Sequence, residues 1–385
     1  MKILLFANTE WYLYNFRRTL ALALRDAGHE VLLLSPPGPY AEKLQALGLR
    51  WMPVPMARRS LNPFRELALV LWLRQLMRQE RVDLVHGFTI KGAVYGSLAA
   101  RLAGVSARVN GIDGLGYVFA SNDLKARLLR PLVRTMLRLA LNGKNSRLIL
   151  LNPDDVTLFQ QAGLVESDRV RMIPGAGVDC SRFASGGQRV DGKPLRVLMA
   201  ARLLWDKGLA EYVVAARLLK AQGRQIHFLL AGTPDPGNPK SVPEETVRGW
   251  VDEGLIDWLG HVGDMAALLA TVHVVALPSY REGLPTTLTE GAACSLPLIT
   301  TDVPGCREVV THEVDGLLVP VRNAEALALA IACLDDDPVL AARLGAAARA
   351  KVLMQFDEQI VIKRTMAVYA ELLDSKTQQQ VVQAA

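Results

Sequence analysis

Only four cysteines stand in the 385 residues, Cys180, Cys294, Cys306 and Cys333, and no two of them form a C-x-x-C pair. That count excludes a disulfide scaffold, and free thiols in a reducing compartment are expected. Proline is scarce at 20 residues, and charged residues are held to 21% against 50% apolar. A disordered or collagen-like chain is therefore ruled out. Long apolar runs are missing as well. The most apolar stretch, Leu67 to Leu73, is closed by Arg65-Glu66 on one side and Arg74 on the other, far short of the roughly 20 residues that span a bilayer. The opening run Ile3 to Ala7 is too short for a signal peptide. The expectation is a cytoplasmic globular protein of two domains.

Acids are absent where bases are dense. Residues 1–190 hold 26 Lys and Arg against 14 Asp and Glu, a net +12, while residues 191–385 hold 18 against 24, a net −6. Halves of opposite sign imply that the first meets something anionic. From Leu124 to Arg147 there are seven cations and no acid. Arg127, Arg130, Arg134 and Arg138 share a helical spacing, with Lys125 just before them and Leu124, Leu128, Leu132, Met136 and Leu139 on another face, and these five cations are expected to face a membrane. Pro131 is expected to begin a second helical piece. Such a basic amphipathic helix either packs as an ordinary surface helix or meets anionic lipid headgroups. Nucleic acid is excluded as a partner, since no aromatic residues interleave the cations to stack on bases.

Short apolar runs alternate with helical patterns along the whole chain, the mark of parallel sheets wrapped by helices. The first half reads as strands at Ile3–Ala7, Glu30–Leu34, Trp51–Val54, Leu84–His86, Arg108–Asn110 and Leu148–Leu151. The second reads as Leu195–Ala200, Ile226–Ala231, Ile256–Leu259, Val272–Leu277, Leu298–Thr300 and Leu317–Val319. The fold class is α/β, two Rossmann-like doubly wound domains facing across a cleft. Domain boundaries are expected at residues 1–180 and 195–365, with a linker at 181–194 and a C-terminal helix and tail at 366–385. Ligands of open α/β sheets bind at the carboxyl ends of strands. The one near match to a dinucleotide fingerprint, Gly114-Leu115-Gly116-Tyr117-Val118-Phe119, lacks its last glycine, which argues against a dehydrogenase.

Two loops carry the chemistry. Leu195–Ala200 runs into Ala201-Arg202-Leu203-Leu204-Trp205-Asp206-Lys207-Gly208, placing two cations at a strand's carboxyl end, where a guanidinium fork and an ammonium can offset a diphosphate. Val272–Leu277 runs into Pro278-Ser279-Tyr280-Arg281-Glu282-Gly283-Leu284-Pro285-Thr286 and on to Glu290. Pro285 suits a first helical turn, whose free amides favour an anion. Glu282 precedes that helix and Glu290 lies about a turn inside it, so the two carboxylates can accept bonds from different sugar hydroxyls. The Asp335-Asp336-Asp337 run before Pro338 reads as a helix start rather than a metal motif.

Arg202 with Lys207-Gly208, Glu282 and Glu290 with seven residues between, Pro297, Thr301-Asp302-Val303-Pro304-Gly305 and Arg307-Glu308 resemble the donor-site signature of retaining glycosyltransferases of family four, which have the GT-B fold. In the first half Asp83-Leu84-Val85-His86-Gly87-Phe88-Thr89-Ile90-Lys91 and Gly114 to Phe119 resemble the subgroup that builds bacterial capsule, O-antigen and glycan units on a polyprenyl diphosphate carrier. The resemblance implies transfer of a hexose or N-acetylhexosamine from a nucleotide diphosphate sugar, UDP-linked, to a saccharide on undecaprenyl diphosphate. It implies Arg202, Lys207 and Glu282 as the catalytic set, with Glu290 on the ribose and Gly283, Leu284, Pro285 and Thr286 lining the donor. Neither cofactor nor metal is implied, and the place of action is the inner face of the cytoplasmic membrane, peripherally bound. Asn8-Thr9-Glu10-Trp11 replaces the glycine-rich loop of many relatives, and Asn110-Gly111-Ile112-Asp113 stands where threonines are common. Acceptor contacts are therefore sought at Glu10, His86, Lys91 and Asp113. His86 has an alternative reading, a strand-end histidine bonded to backbone. Two rivals remain, a GT-B nucleotide-sugar epimerase and a non-catalytic two-domain sugar-binding protein.

Overall fold

Among the described residues every pairing between the named strands is parallel, so each connection must cross a sheet face instead of closing as a hairpin. The computed structural model describes residues 1–57, 60, 62–112, 124–183 and 193–384. Seven strands make the first sheet: β1 (Lys2–Phe6), β2 (Glu30–Ser35), β3 (Arg50–Pro53), β4 (Leu84–Phe88), β5 (Ala107–Gly111), β6 (Ser146–Leu150) and β7 (Val170–Met172). Their order is β3-β2-β1-β4-β5-β6-β7. Six make the second: β8 (Leu195–Ala200), β9 (Ile226–Ala231), β10 (Asp257–Gly260), β11 (Val274–Leu277), β12 (Leu298–Thr301) and β13 (Leu317–Val319), ordered β10-β9-β8-β11-β12-β13. All twelve sequence-expected strands are present within a few residues. The short β7, which is only partly buried, has too little apolar content to stand out in sequence.

Alternation along β1 fills two cores. Ile3, Leu5 and Ala7 pack with Leu20, Leu24 and Leu44 on one face, while Leu4 and Phe6 pack with Leu69, Leu73 and Leu76 on the other. Near-continuous apolar runs are what a sheet covered on both faces demands.

The chain divides after Ala176. One unit comprises Met1–Ala176 with Val361–Ala385, the other Gly177–Ile360. The second unit thus ends at Ile360 and the last helix, Glu358–Ala384, crosses the boundary to pack Val361, Ile362, Val368, Tyr369 and Leu372 into the first core. Within the expected 181–194 linker, residues 184–192 lie outside the described residues. Two further expectations are corrected. Leu124–Leu141 is one helix with Pro131 inside it, not two pieces; losing one backbone bond is tolerable where a whole face is packed. Arg147 leaves the basic run, being buried in β6 with its guanidinium on the Glu371 carboxylate at 2.6 Å.

Candidate functional site

Strand order reverses once in each sheet, between β1 and β4 and between β8 and β11. Loops leaving such a pair turn to opposite faces and open a gap at the carboxyl edge. In the second unit the loops at that gap are 201–208 and 278–285, the two that the sequence singles out.

Backbone bonds stitch these loops together. The Asp206 carbonyl accepts from the Tyr280 amide at 2.8 Å and from the Ser279 hydroxyl at 3.2 Å. Gly208, at φ +78°, closes the turn so tightly that a Cβ would lie 2.1 Å from the Pro278 carbonyl, so no other residue fits. A third loop joins from β12, where the Glu282 amide donates to the Pro304 carbonyl at 3.2 Å. Gly305, at φ +82°, sits against the carbonyls of Glu282 and Gly283. The Thr287 hydroxyl ties the next helix to the end of β8 through the Ala200 carbonyl at 2.7 Å.

This framework brings Lys207 and Glu282 together. The ammonium donates to both carboxylate oxygens, at 2.6 and 2.7 Å, with both side chains largely buried. The sequence puts Lys207 on a diphosphate and Glu282 on a sugar; in the structure the two side chains hold each other. Arg202 is exposed, and its guanidinium reaches the Asp235 carboxylate at 3.0 Å. Asp235 was missed in sequence, although the turn-forming cluster Gly232-Thr233-Pro234-Asp235-Pro236-Gly237 follows a strand, the same position in the fold that identified the other loops. Lys240 holds Asp206 at 2.5 Å on the same rim.

Glu290 lies inside the helix Thr286–Ala293, which Pro285 precedes as the N-cap rather than entering its first turn. Burial pushes the Glu290 carboxyl up to about 7, with the Arg182 charge pulling the other way. Arg182, in the first turn of this unit, also holds Asp264 at 3.1 Å; nothing in its local sequence marks it. Leu284 packs its side chain on the core of this unit, so its contribution to a ligand would be its backbone. Gly283 and Thr286 are partly exposed beside it. Among the described residues no group of three or more His, Cys, Asp or Glu stands together as a metal-ligand cluster.

The first-unit expectations fare differently. Glu10 is buried at the start of the helix after β1, its carboxylate filling the space that a side chain at Gly38 would need. Lys91 is a strut: its three donors go to the carbonyls of Ala57 and Ser60 and to Glu66, at 3.0, 2.7 and 2.9 Å. An ammonium has no fourth donor for a substrate. His86 points into the core, its Nδ1 2.6 Å from the Tyr369 hydroxyl and its ring against Phe88. That is a packed histidine, bonded to a distant side chain and not to strand-end backbone. Asp113, the Gly114 to Phe119 segment and the side chains of Lys125 and Arg127 lie outside the described residues.

Residues 183–351 match the family described as glycosyl transferases group 1, and residues 2–151 match glycosyl transferase 4-like. The chain is 29% identical over 94% of its length, and 96% of the relative's, to N,N'-diacetylbacillosaminyl-diphospho-undecaprenol alpha-1,3-N-acetylgalactosaminyltransferase of Campylobacter jejuni. It is 26% identical to UDP-Gal:alpha-D-GlcNAc-diphosphoundecaprenol alpha-1,3-galactosyltransferase of Escherichia coli, over 80% of each chain. Sucrose-phosphate synthase from Thermosynechococcus elongatus superposes with a TM-score of 0.80 at 21% identity, over 97% of this chain and 100% of that one. HepE of Anabaena, solved with UDP, gives 0.75 at 20%, over 96% and 100%. These two likenesses carry the fold.

The burial of His86 has a measurable consequence. Desolvation, aided by the Arg17 charge, holds its imidazole well below 6.5, so it is neutral when folded. An unfolded histidine titrates near 6.5, so protons bind the unfolded chain first as pH falls. The stability tied to neutral His86 is complete above about 6.5 and is lost below it. Denaturant midpoints between pH 7.5 and 5.5 should fall more steeply for the native protein than for His86→Gln; equal slopes would remove His86 from the acid response.

Proposed function

We propose, from the premise that the chain is a two-domain glycosyltransferase of the GT-B fold, that it moves a hexose or N-acetylhexosamine from a UDP-sugar to a saccharide on undecaprenyl diphosphate, with retention at the anomeric carbon. The observation that carries the reading is the Lys207–Glu282 clasp at the β8/β11 switch point. A ligand bearing a diphosphate and a sugar offers each partner a replacement. Phosphate oxygens draw the ammonium, and sugar hydroxyls donate to the released carboxylate. Arg202, exposed on the rim, swings from Asp235 to the same diphosphate and offsets the charge that grows on the leaving group. Glu290 accepts the ribose hydroxyls. On the acceptor side Glu10 and Asp113 remain from the sequence reading. A lipid-linked acceptor places the work at a membrane surface, where the basic Leu124–Leu141 helix is the electrostatic contact. An epimerase would bind the same donor, and incubation with the nucleotide sugar alone separates it by the isomer it would produce.

Lys207→Ala and Glu290→Ala should each cost about 2–4 kcal/mol of transition-state stabilisation while leaving the fold intact. Near-normal kcat/KM in both variants would end the donor-site assignment.

The raised Glu290 pKa fixes a second expectation. Only the ionised carboxylate accepts both hydroxyls, so donor affinity should climb as pH rises through about 7 and level above it. Below that, binding releases a proton, visible by calorimetry in buffers of different ionisation enthalpy. Glu290→Gln should abolish the release, and a native protein that releases none at about pH 6.5 contradicts the assignment.

The reading includes independence of divalent metal, with Arg202 and Lys207 in its place. Turnover should persist in excess EDTA. Loss restored only by Mn²⁺ or Mg²⁺ would overturn that part.

A further inference from the structure

Apolar residues on a helix normally turn inward, and the helix Pro63–Gln79 breaks that rule on its outer side. Asn62 caps its start, accepting from the amides of Phe64 and Arg65 at 3.0 and 3.3 Å, and Lys91 pins the same turn through Glu66. Leu69, Val70, Leu73, Leu76 and Met77 fill the core. Phe64, Leu67 and Leu71, at i, i+3 and i+7, form a stripe facing solvent, with Phe64 81% exposed.

The stripe does not stand alone. The helix lies beside Thr89–Ala103, which in turn lies beside Leu124–Leu141. Arg74 and Arg78 donate to the Leu102 carbonyl, each at 3.2 Å, and Arg101 donates to that of Leu139 at 2.5 Å. Leu102, Leu132 and Leu139 are about half exposed or more on this layer. The last two correct the sequence reading, which put them on a face apart from the cations. Leu137, Ala140 and Leu141 hold the packed face instead, so Leu132 and Leu139 sit outside with Arg134 and Arg138.

Charge decides what covers such a surface. The three helices hold ten Lys and Arg and one acid, Glu66, which is largely buried against Lys91. A second copy of the chain would bring the same cations against themselves, whereas an anionic bilayer matches both the apolar stripe and the bases. We propose that this three-helix face seats on an anionic phospholipid bilayer, with Phe64, Leu67 and Leu71 entering the boundary between headgroups and acyl chains and Arg130, Arg134 and Arg138 meeting headgroup phosphates. The inference deepens the proposed function and rests on it only for the purpose of the contact.

Co-sedimentation tests it, using vesicles of phosphatidylcholine alone and of phosphatidylcholine with an equal part of phosphatidylglycerol. Native protein should bind the anionic vesicles at low salt and keep part of that binding at high salt. Phe64→Ser/Leu67→Ser/Leu71→Ser should lower partitioning at least roughly tenfold and leave only a salt-labile remainder. Arg130→Gln/Arg134→Gln/Arg138→Gln should lose the preference for anionic lipid. Because all six side chains are at least partly exposed, thermal unfolding should confirm intact folds. A serine variant that partitions like the native protein overturns the proposal. So does a native dimer in sedimentation velocity that the serine variant dissolves, since the stripe is then a contact between copies. The functional reading is checked separately with a water-soluble, short-chain polyprenyl diphosphate saccharide, on which native and serine variant should turn over equally. No transfer by the native protein, alongside the expected vesicle binding, would sink the acceptor assignment and spare the docking face.

Discussion

A parallel strand cannot be joined to its neighbour by a tight turn, and from that constraint the rest of the structure follows. Each crossover must carry the chain over a sheet face and back to the starting edge. A sheet that grows outward in both directions from its first strand must reverse its order once, and both sheets do so beside that strand, at β1/β4 and β8/β11. Backbone at these points is left without a strand to continue it. In the second unit the loops fill the gap by bonding to one another through the Asp206 carbonyl and by the contact of Gly208 with Pro278. The position of Lys207 against Glu282 is a result of that stitching rather than of any attraction strong enough to arrange it.

Electrostatics then sets the condition for binding. Lys207 and Glu282 are shielded enough that removing the partner of either leaves a charge without compensation, which costs more than the pair contributes. A ligand must therefore supply both replacements at once. A bare phosphate would satisfy the lysine and strand the glutamate, and a free sugar would do the reverse. Under the proposed function, a nucleotide diphosphate sugar would answer both charges, and the clasp would favour the intact donor over either fragment.

How much of this was legible in the sequence depended on the range of the interaction. Most strands were visible because burial on both faces forces apolar runs, while the edge strands β3 and β10, only partly buried, were marked by short apolar segments beside turns, and Arg202, Lys207, Glu282 and Glu290 were visible because they follow such runs. Asp337 caps the helix Pro338–Gln355 as the sequence said, accepting from the Leu340 amide at 2.9 Å. What could not be read was pairing. Lys91 looks like a free cation until the chain brings Ala57, Ser60 and Glu66 around it. The phase of Leu124–Leu141 was misread because leucines occupy more than one arc of that helix, and periodicity alone does not say which arc meets the core.

The last helix shows the same limit at the longest range. Its residues from Val361 onward belong to the first unit although 184 residues of the second, Gly177–Ile360, intervene. No local signal announces that return, yet buried groups near the start of the chain depend on it. His86 has its Nδ1 partner in Tyr369, and Arg147 and Arg171 converge on the Glu371 carboxylate. Without the helix, an imidazole and two guanidinium groups in or beside the first sheet would lose a hydrogen-bond or ion-pair partner, and the loss of Val361, Ile362, Val368 and Leu372 would leave one face of that sheet uncovered. The first unit is therefore complete only after the second has been synthesised, and its polar interior, which reads as isolated charges in sequence, is closed by the end of the chain.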